Sequence, residues 1–178
     1  MTIAASDALE RARRVRLMAF DVDGVLTDGR LWYGPAGETM KAFHVQDGLA
    51  IKMLAGAGIA TAIITSRRSE AVAIRAAELD IAHVLQGVED KYGAFRRLLE
   101  QLALDPLQAG YMGDDLPDLP VLRRCGLACA PKEAVEPVRR HAHYVTHASA
   151  GAGAAREVCE FVLQAQGRLE STLAAYLS

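Results

Sequence analysis

Short apolar runs alternate with helix-like patterns along this chain. Apolar runs typical of buried strands occupy residues 15–20, 59–64, 83–85 and 109–112, and weaker ones occupy 127–130 and 144–146. Helical spacing of apolar residues separates them, at 47–57, 69–79, 89–102 and 156–166. This alternation predicts an α/β, doubly wound (Rossmann-like) fold, with a parallel sheet, right-handed crossovers and helices on both faces.

Polar residues follow three of the apolar runs at the point where each run ends. Asp21 and Asp23 follow the first run, residues 65–67 follow the second, and residues 113–115 follow the fourth. Sheets of this type bind ligands at the carboxyl ends of their strands. We therefore expect the functional site at this edge of the sheet.

Residues 29–43 break the alternation and predict a β-hairpin. Leu31, Trp32 and Tyr33 precede the turn residues Gly34-Pro35-Ala36-Gly37, and further apolar residues follow them. No internal repeat or linker divides the rest of the chain. We therefore expect a single domain over residues 1–178, with the hairpin insert (about 29–43) as a minimal cap.

Composition argues against several partners and locations. The net charge of −2 offers no basic excess for a nucleic-acid backbone. No apolar run approaches the roughly 18 residues that a membrane span needs, and the N-terminus lacks the apolar segment of a secretory signal. Cys125, Cys129 and Cys159 are odd in number and lack CxxC spacing, which predicts reduced, buried thiols. We expect no nucleic-acid partner, no membrane and a cytoplasmic location.

The carboxylates at the predicted edge indicate a cation site. Asp21 and Asp23 lie so close that their repulsion is costly unless a cation sits between them or one is protonated. Mg²⁺ is the expected ion because it prefers oxygen ligands and is common where phosphate binds. Asp114 adds a carboxylate, and Asp118, one helical turn further, is placed to orient it. Asp115 either supports the metal or caps a helix.

The remaining polar residues suit phosphoryl transfer. Asp21 can attack phosphorus to form an aspartyl-phosphate, and Asp23 can protonate the leaving oxygen and later deprotonate the attacking water. Thr65 or Ser66 and Lys91 can neutralise the phosphoryl oxygens.

Two further residues are candidates for substrate contact. Arg67, like Ser66 beside it, either contacts the substrate or has an ordinary loop role. His44 lies between the hairpin and Asp47 and is a candidate for contact with the substrate as well.

Four motifs resemble those of the haloacid dehalogenase superfamily and occur in that superfamily's order. They are residues 21–27 (DVDGVLT), Thr65 after two isoleucines, Lys91, and residues 113–118 (GDDLPD). From about residue 14 to residue 169 the chain also resembles the 3-deoxy-D-manno-octulosonate 8-phosphate phosphatases, enzymes of lipopolysaccharide precursor synthesis.

This resemblance implies roles for individual residues. Asp21 is then the nucleophile and a Mg²⁺ ligand, Asp23 is the acid/base and binds the metal through its carbonyl, and Asp114 is the remaining protein ligand. Thr65 and Lys91 then hold the phosphate. The resemblance also implies a homotetramer in which the hairpin joins subunits and a neighbouring chain helps to cover the site.

Departures from the family pattern leave the substrate open. Ser66 stands where glycine is usual, and Gln46 and Ala152 stand where arginine is common. Another sugar phosphate, such as N-acylneuraminate 9-phosphate, is therefore an alternative. A receiver-like phosphoacceptor module and a non-catalytic assembly subunit are alternatives from other classes, and the acid/base at Asp23 argues against the receiver.

Overall fold

The computed structural model describes residues 3–35 and 37–177, which form eight helices and eight strands. In chain order these are α1 (Ile3–Arg13), β1 (Leu17–Phe20), β2 (Trp32–Gly34), β3 (Gly37–Met40), α2 (Val45–Gly56), β4 (Ala60–Thr65), α3 (Glu70–Glu78), β5 (His83–Gln86), α4 (Lys91–Leu102), β6 (Ala109–Met112), α5 (Leu119–Leu122), β7 (Leu127–Ala130), α6 (Glu136–His141), β8 (Tyr144–Val145), α7 (Ala154–Ala165) and α8 (Leu169–Ala174). Short 3-10 turns cover Pro106–Gln108 and Leu116–Asp118.

Six of the strands form one parallel sheet, which confirms the predicted α/β doubly wound fold. Their order is β5-β4-β1-β6-β7-β8, so β1 lies between β4 and β6. Strand order runs outward from β1 to β5 and then resumes at β6 on the other side of β1. A crevice opens at such a reversal, beyond the carboxyl ends of the strands.

Apolar residues of β1 alternate between two cores, one on each face of the sheet. Met18 and Phe20 pack into the core that α1, α2, α3 and α7 cover. Leu17 and Ala19 pack into the core beneath α4, α5 and α6. Because β1 is buried on both faces, its end is a rigid support for the loop that follows.

The predicted hairpin is a separate two-stranded antiparallel sheet of β2 and β3. Its turn includes Ala36, which lies outside the described residues. Trp32, Tyr33 and Met40 expose much of their side chains, as does Leu31 just before β2. The hairpin therefore presents an apolar surface that the rest of the described chain does not cover.

The three cysteines are buried and free, as predicted. Within residues 3–35 and 37–177, no helix combines the length and the apolar character that crossing a membrane requires.

A buried carboxylate joins α2 to the start of α7. Asp47 is almost fully buried, and its two oxygens accept hydrogen bonds from the backbone N–H groups of Arg156 (2.8 Å) and Gly153 (3.3 Å). These N–H groups belong to the first turn of α7 and its N-cap, which have no partner inside the helix.

We predict that Asp47→Ala lowers the free energy of unfolding by about 1–3 kcal/mol, because two partly buried N–H groups at the start of α7 lose their acceptor. Asp47→Asn keeps one acceptor oxygen and should lose less. Urea unfolding followed by circular dichroism measures both, with the exposed Glu100→Ala as the control. A loss for Asp47→Ala no larger than that for Glu100→Ala would contradict this account.

Candidate active site

The loop after β1 turns sharply and places Asp21 and Asp23 at the sheet edge. The Asp21 N–H donates to the Met112 carbonyl (3.0 Å), which continues the pairing of β1 with β6 beyond the strand. Gly24 has φ +83°, and a Cβ on it would lie 2.1 Å from Oδ2 of Asp114. Glycine is therefore required here for the backbone turn and for the approach of Asp114.

Asp118 is fully buried and organises the loop after β6. One oxygen accepts from Lys91 Nζ and Tyr111 OH, each at 2.7 Å. The other accepts from the backbone N–H groups of Asp114 (3.0 Å) and Asp115 (3.2 Å). Asp118 thus holds the backbone that carries Asp114, and its role in orienting the Asp114 carboxylate stays a prediction.

Lys91, the first residue of α4, lies between two carboxylates. Its Nζ is 2.8 Å from Oδ2 of Asp21 and 2.7 Å from Oδ1 of Asp118. Burial alone would lower the pKa of Lys91, but Asp21 and Asp118 outweigh it, so the pKa is raised and the ammonium stays charged.

The acidic residues outnumber this lysine. One carboxylate oxygen from each of Asp21, Asp114 and Asp118 lies within 4.8 Å of the other two. Burial, followed by the charge of Asp118, raises the pKa of Asp21 to about 6, and burial with Asp118 and Asp21 raises the pKa of Asp114 to about 7. Oδ1 of Asp114 is buried and has no hydrogen-bond partner among the described residues. Hard oxygen donors with excess negative charge and one unsatisfied oxygen fit a divalent cation such as Mg²⁺.

The Asp23 side chain contacts two cations, one from the end of the hairpin and one from the loop after β4. It is ion-paired with Lys41 Nζ, and its Oδ2 lies 3.6 Å from Nε of Arg67. Arg67 also donates to Tyr33 OH (2.7 Å) and to Glu38 (3.2 Å). Sequence reasoning missed Lys41 and Glu38, because nothing in a hairpin sequence shows which of its side chains fold back onto the preceding loop.

A cavity of about 260 Å³ brings most of the predicted residues together. It is lined by Asp21, Asp23, Thr65, Ser66, Arg67, Lys91, Asp114, Asp115 and Asp118, with Gly29 and Pro117.

Asp115 lines the cavity but has a capping role, and His44 lies outside the cavity. Asp115 is exposed and accepts from the Leu116 N–H (2.8 Å), so it caps the 3-10 turn, which was one of its two predicted roles. His44 lies at the start of α2, outside the lining of the cavity, with Nδ1 3.9 Å from Asp47, and its contact with substrate stays a prediction.

Ala152, which stands where arginine is common in the family, belongs to the loop before α7. This loop lies beside the loop that follows Asp21. The Gly151 N–H donates to the Val25 carbonyl (3.1 Å), and the next residue, Ala152, is exposed. Ala152 does not line the cavity, and it exposes a methyl group at the position where an arginine could present a guanidinium group.

Comparison with known proteins agrees with this geometry. Residues 70–158 match the family model of the haloacid dehalogenase-like hydrolases. A 3-deoxy-D-manno-octulosonate 8-phosphate phosphatase of Yersinia pestis is 45% identical over 166 residues, or 93% of this chain and 89% of that protein.

Solved structures of two other proteins are similar to this chain over nearly its whole length. A probable phosphatase from Pseudomonas syringae pv. phaseolica superposes with a TM-score of 0.95 at 49% identity, covering 97% of this chain and 98% of that one. The Moraxella catarrhalis 3-deoxy-D-manno-octulosonate 8-phosphate phosphatase, solved with magnesium, phosphate and a KDO molecule, has a TM-score of 0.93 at 41% identity, covering 96% and 98%.

Fold and site together define a hydrolase of the haloacid dehalogenase type, in which a carboxylate cluster meets a buried lysine at the end of a central parallel strand. Within this class, the chain belongs to the family of the 3-deoxy-D-manno-octulosonate 8-phosphate phosphatases.

The raised pKa of Asp114 predicts a pH-dependent stability of the metal-free protein. The Asp114 carboxyl group binds its proton more tightly in the folded protein, where its pKa is about 7, than at its ordinary pKa of 3.8. The bound proton therefore stabilises the fold fully below about pH 4, and this stabilisation is lost as pH rises to about 7. In EDTA, the free energy of unfolding of the wild type, relative to Asp114→Asn, should therefore decrease over this range. Chemical denaturation at a series of pH values measures the difference.

Asp80→Asn, at an exposed residue that is paired with Lys52 outside this cluster of carboxylates, is the control and should show the same pH dependence as the wild type. A constant difference between wild type and Asp114→Asn from pH 4 to pH 7 would show that the Asp114 carboxyl carries no such shift.

Proposed function

We propose that this chain hydrolyses 3-deoxy-D-manno-octulosonate 8-phosphate to the free sugar acid and phosphate, in a Mg²⁺-dependent reaction of lipopolysaccharide precursor synthesis. One observation carries the reaction class: Lys91 bridges Asp21 and Asp118 in a carboxylate cluster that also contains Asp114. The substrate is supported by the names of relatives that match nearly the whole chain.

The reaction divides into two displacements. In the first, a carboxylate oxygen of Asp21 attacks phosphorus, the bond from phosphorus to the sugar oxygen breaks, and Asp23 gives that oxygen its proton. In the second, water attacks the phosphorus of the aspartyl-phosphate while Asp23 takes a proton from the water. Phosphate leaves, and both carboxyl groups return to their starting states.

Other residues around the cavity bind the phosphoryl group, the rest of the substrate and the metal. Lys91 and Thr65 bind the phosphoryl oxygens, and Ser66 and Arg67 contact the substrate at the cavity wall. The carboxylates of Asp21 and Asp114 and the backbone carbonyl of Asp23 would hold Mg²⁺. When bound, the ion neutralises charge on the phosphoryl oxygens and on the carboxylate cluster.

A second candidate substrate is supported by the exposed methyl group of Ala152 beside the Asp21 loop. Without the guanidinium group of an arginine, this loop lacks a bidentate contact to a substrate carboxylate. N-acylneuraminate 9-phosphate or another sugar phosphate therefore stays in the set to be tested, with the same chemistry.

The exposed apolar hairpin supports assembly into a homotetramer. Trp32, Tyr33 and Met40 form an apolar surface of the kind that marks subunit contacts. In this proposal the chain is one domain that functions in the cytoplasm, with the hairpin joining subunits and a neighbouring chain helping to cover the site.

Substitution of the nucleophile tests the function. We predict that Asp21→Asn lowers Mg²⁺-dependent phosphate release by at least about 1,000-fold, because the amide cannot form the acyl phosphate. Phosphate release is measured on a panel that includes both named sugar phosphates, with and without Mg²⁺. The surface Asp80→Asn is the control.

Catalytic efficiency should be highest with 3-deoxy-D-manno-octulosonate 8-phosphate. Preference for another sugar would change the substrate and keep the chemistry. Full activity of Asp21→Asn, or stable phosphorylation without release, would contradict the proposed reaction.

Assembly is tested by placing a charge on the hairpin. Trp32→Asp should shift the tetramer to smaller species in sedimentation velocity, because a carboxylate in an apolar interface is costly. Leu107→Asp is the matched control, since Leu107 and Trp32 each expose 53% of their surface and only Trp32 lies on the hairpin. A monomeric wild type would refute the proposed assembly.

A further inference from the structure

Lys41 is a buried cation that the reaction described above does not use. It follows β3 of the hairpin, and its side chain is only 1% exposed. It is ion-paired with Asp23, and its Nζ lies 3.3 Å from Oε2 of Glu38. Because burying an ammonium group carries a large desolvation cost, this lysine is retained in the fold only while its carboxylate partners compensate its charge.

The two oxygens of Asp23 have different surroundings. Oδ1 takes the hydrogen bond of Lys41, which is the only donor to this carboxylate among the described residues. Oδ2 is buried and has no hydrogen-bond partner there, although Nε of Arg67 lies 3.6 Å away. Because Lys41 occupies Oδ1 while Oδ2 accepts no hydrogen bond among the described residues, Oδ2 is the oxygen of Asp23 left to exchange a proton with the substrate.

Arg67 is less suited than Lys41 to hold Asp23 in place. Its side chain is 39% exposed, and its guanidinium group is hydrogen-bonded to Tyr33 and Glu38. Glu38 contacts both cations, since its Oε2 is 3.3 Å from Lys41 and 3.2 Å from Arg67. Glu38 is therefore a second carboxylate partner of Lys41 beside Asp23.

We propose that Lys41 is a positioning residue, which fixes the Asp23 carboxylate through Oδ1 so that Oδ2 exchanges the proton with the leaving oxygen and with water. The inference rests on the proposed phosphatase function. It also gives the hairpin a role in the chemistry, because the acid/base is oriented only when Lys41 and Glu38 are folded against the Asp21 loop.

The test uses two leaving groups that differ in their need for a proton. A sugar alkoxide is strongly basic and must be protonated as it leaves, whereas p-nitrophenolate leaves as a stable anion. Leaving-group release is followed in single turnover, with the full-length enzyme and Mg²⁺ in excess over substrate. This arrangement isolates the transfer of the phosphoryl group to Asp21 from the later hydrolysis.

With Lys41→Met, the single-turnover rate for 3-deoxy-D-manno-octulosonate 8-phosphate should fall by about 100-fold. This is the lower end of the rate enhancement that general acid catalysis supplies. The rate for p-nitrophenyl phosphate should fall by less than about 3-fold, since no proton is needed. Lys52→Met, on an exposed lysine paired with Asp80, is the matched control and should leave both rates unchanged.

Glu38→Gln is the second variant and covers the case in which Lys41→Met fails to fold. It loosens Lys41 without burying a new charge, and the sugar phosphate should again be selectively slowed. Equal loss for both substrates in the folded variants, or no loss for either, would overturn the inference while leaving the phosphatase function standing. A wild type inactive on both substrates would instead overturn the proposed function, and the role of Lys41 with it.

Discussion

The structure of the site depends on one buried ion network, in which Lys91 lies between Asp21 and Asp118. Its three members come from the start of α4, the loop after β1 and the loop after β6, so the network joins segments that are distant in sequence. Removing one partner from a buried ion pair typically lowers the free energy of unfolding by about 3–5 kcal/mol, because the remaining charge is buried without compensation. The same contacts that hold the loops together therefore keep Asp21 and Lys91 in fixed relative positions.

This network is not electrically balanced, and the imbalance links structure to activity. Asp114 joins Asp21 and Asp118 without adding a cation, and burial makes their repulsion stronger than it would be in water. Burial is the first cause of the raised pKa values of Asp21 and Asp114, and this repulsion is the second. In our proposal Mg²⁺ would offset the excess negative charge of these carboxylates, and the phosphoryl group of the substrate would then bind beside the cation and Lys91.

The sequence predicted the sheet and much of the site for a clear physical reason. Parallel strands buried on both faces are continuous apolar runs, and β6 and β7 have the bounds that such runs predict. Helix α1 was missed because its buried face includes the small residues Ala8 and Ala12, and α5 and α6 are too short to show a period. Lys41 was missed for a different reason: its partner Asp23 lies 18 positions away, and only the folded hairpin brings them together.

The proposed reaction requires that Asp21 carries the phosphoryl group. Rapid acid quench during turnover, followed by borohydride reduction and mass spectrometry of the peptide that contains Asp21, detects this intermediate. Asp21 should be converted to homoserine when substrate and Mg²⁺ are both present, and not when either is omitted. Phosphate release with Asp21 unmodified at every quench time, or reduction at another carboxylate, would contradict the proposed reaction.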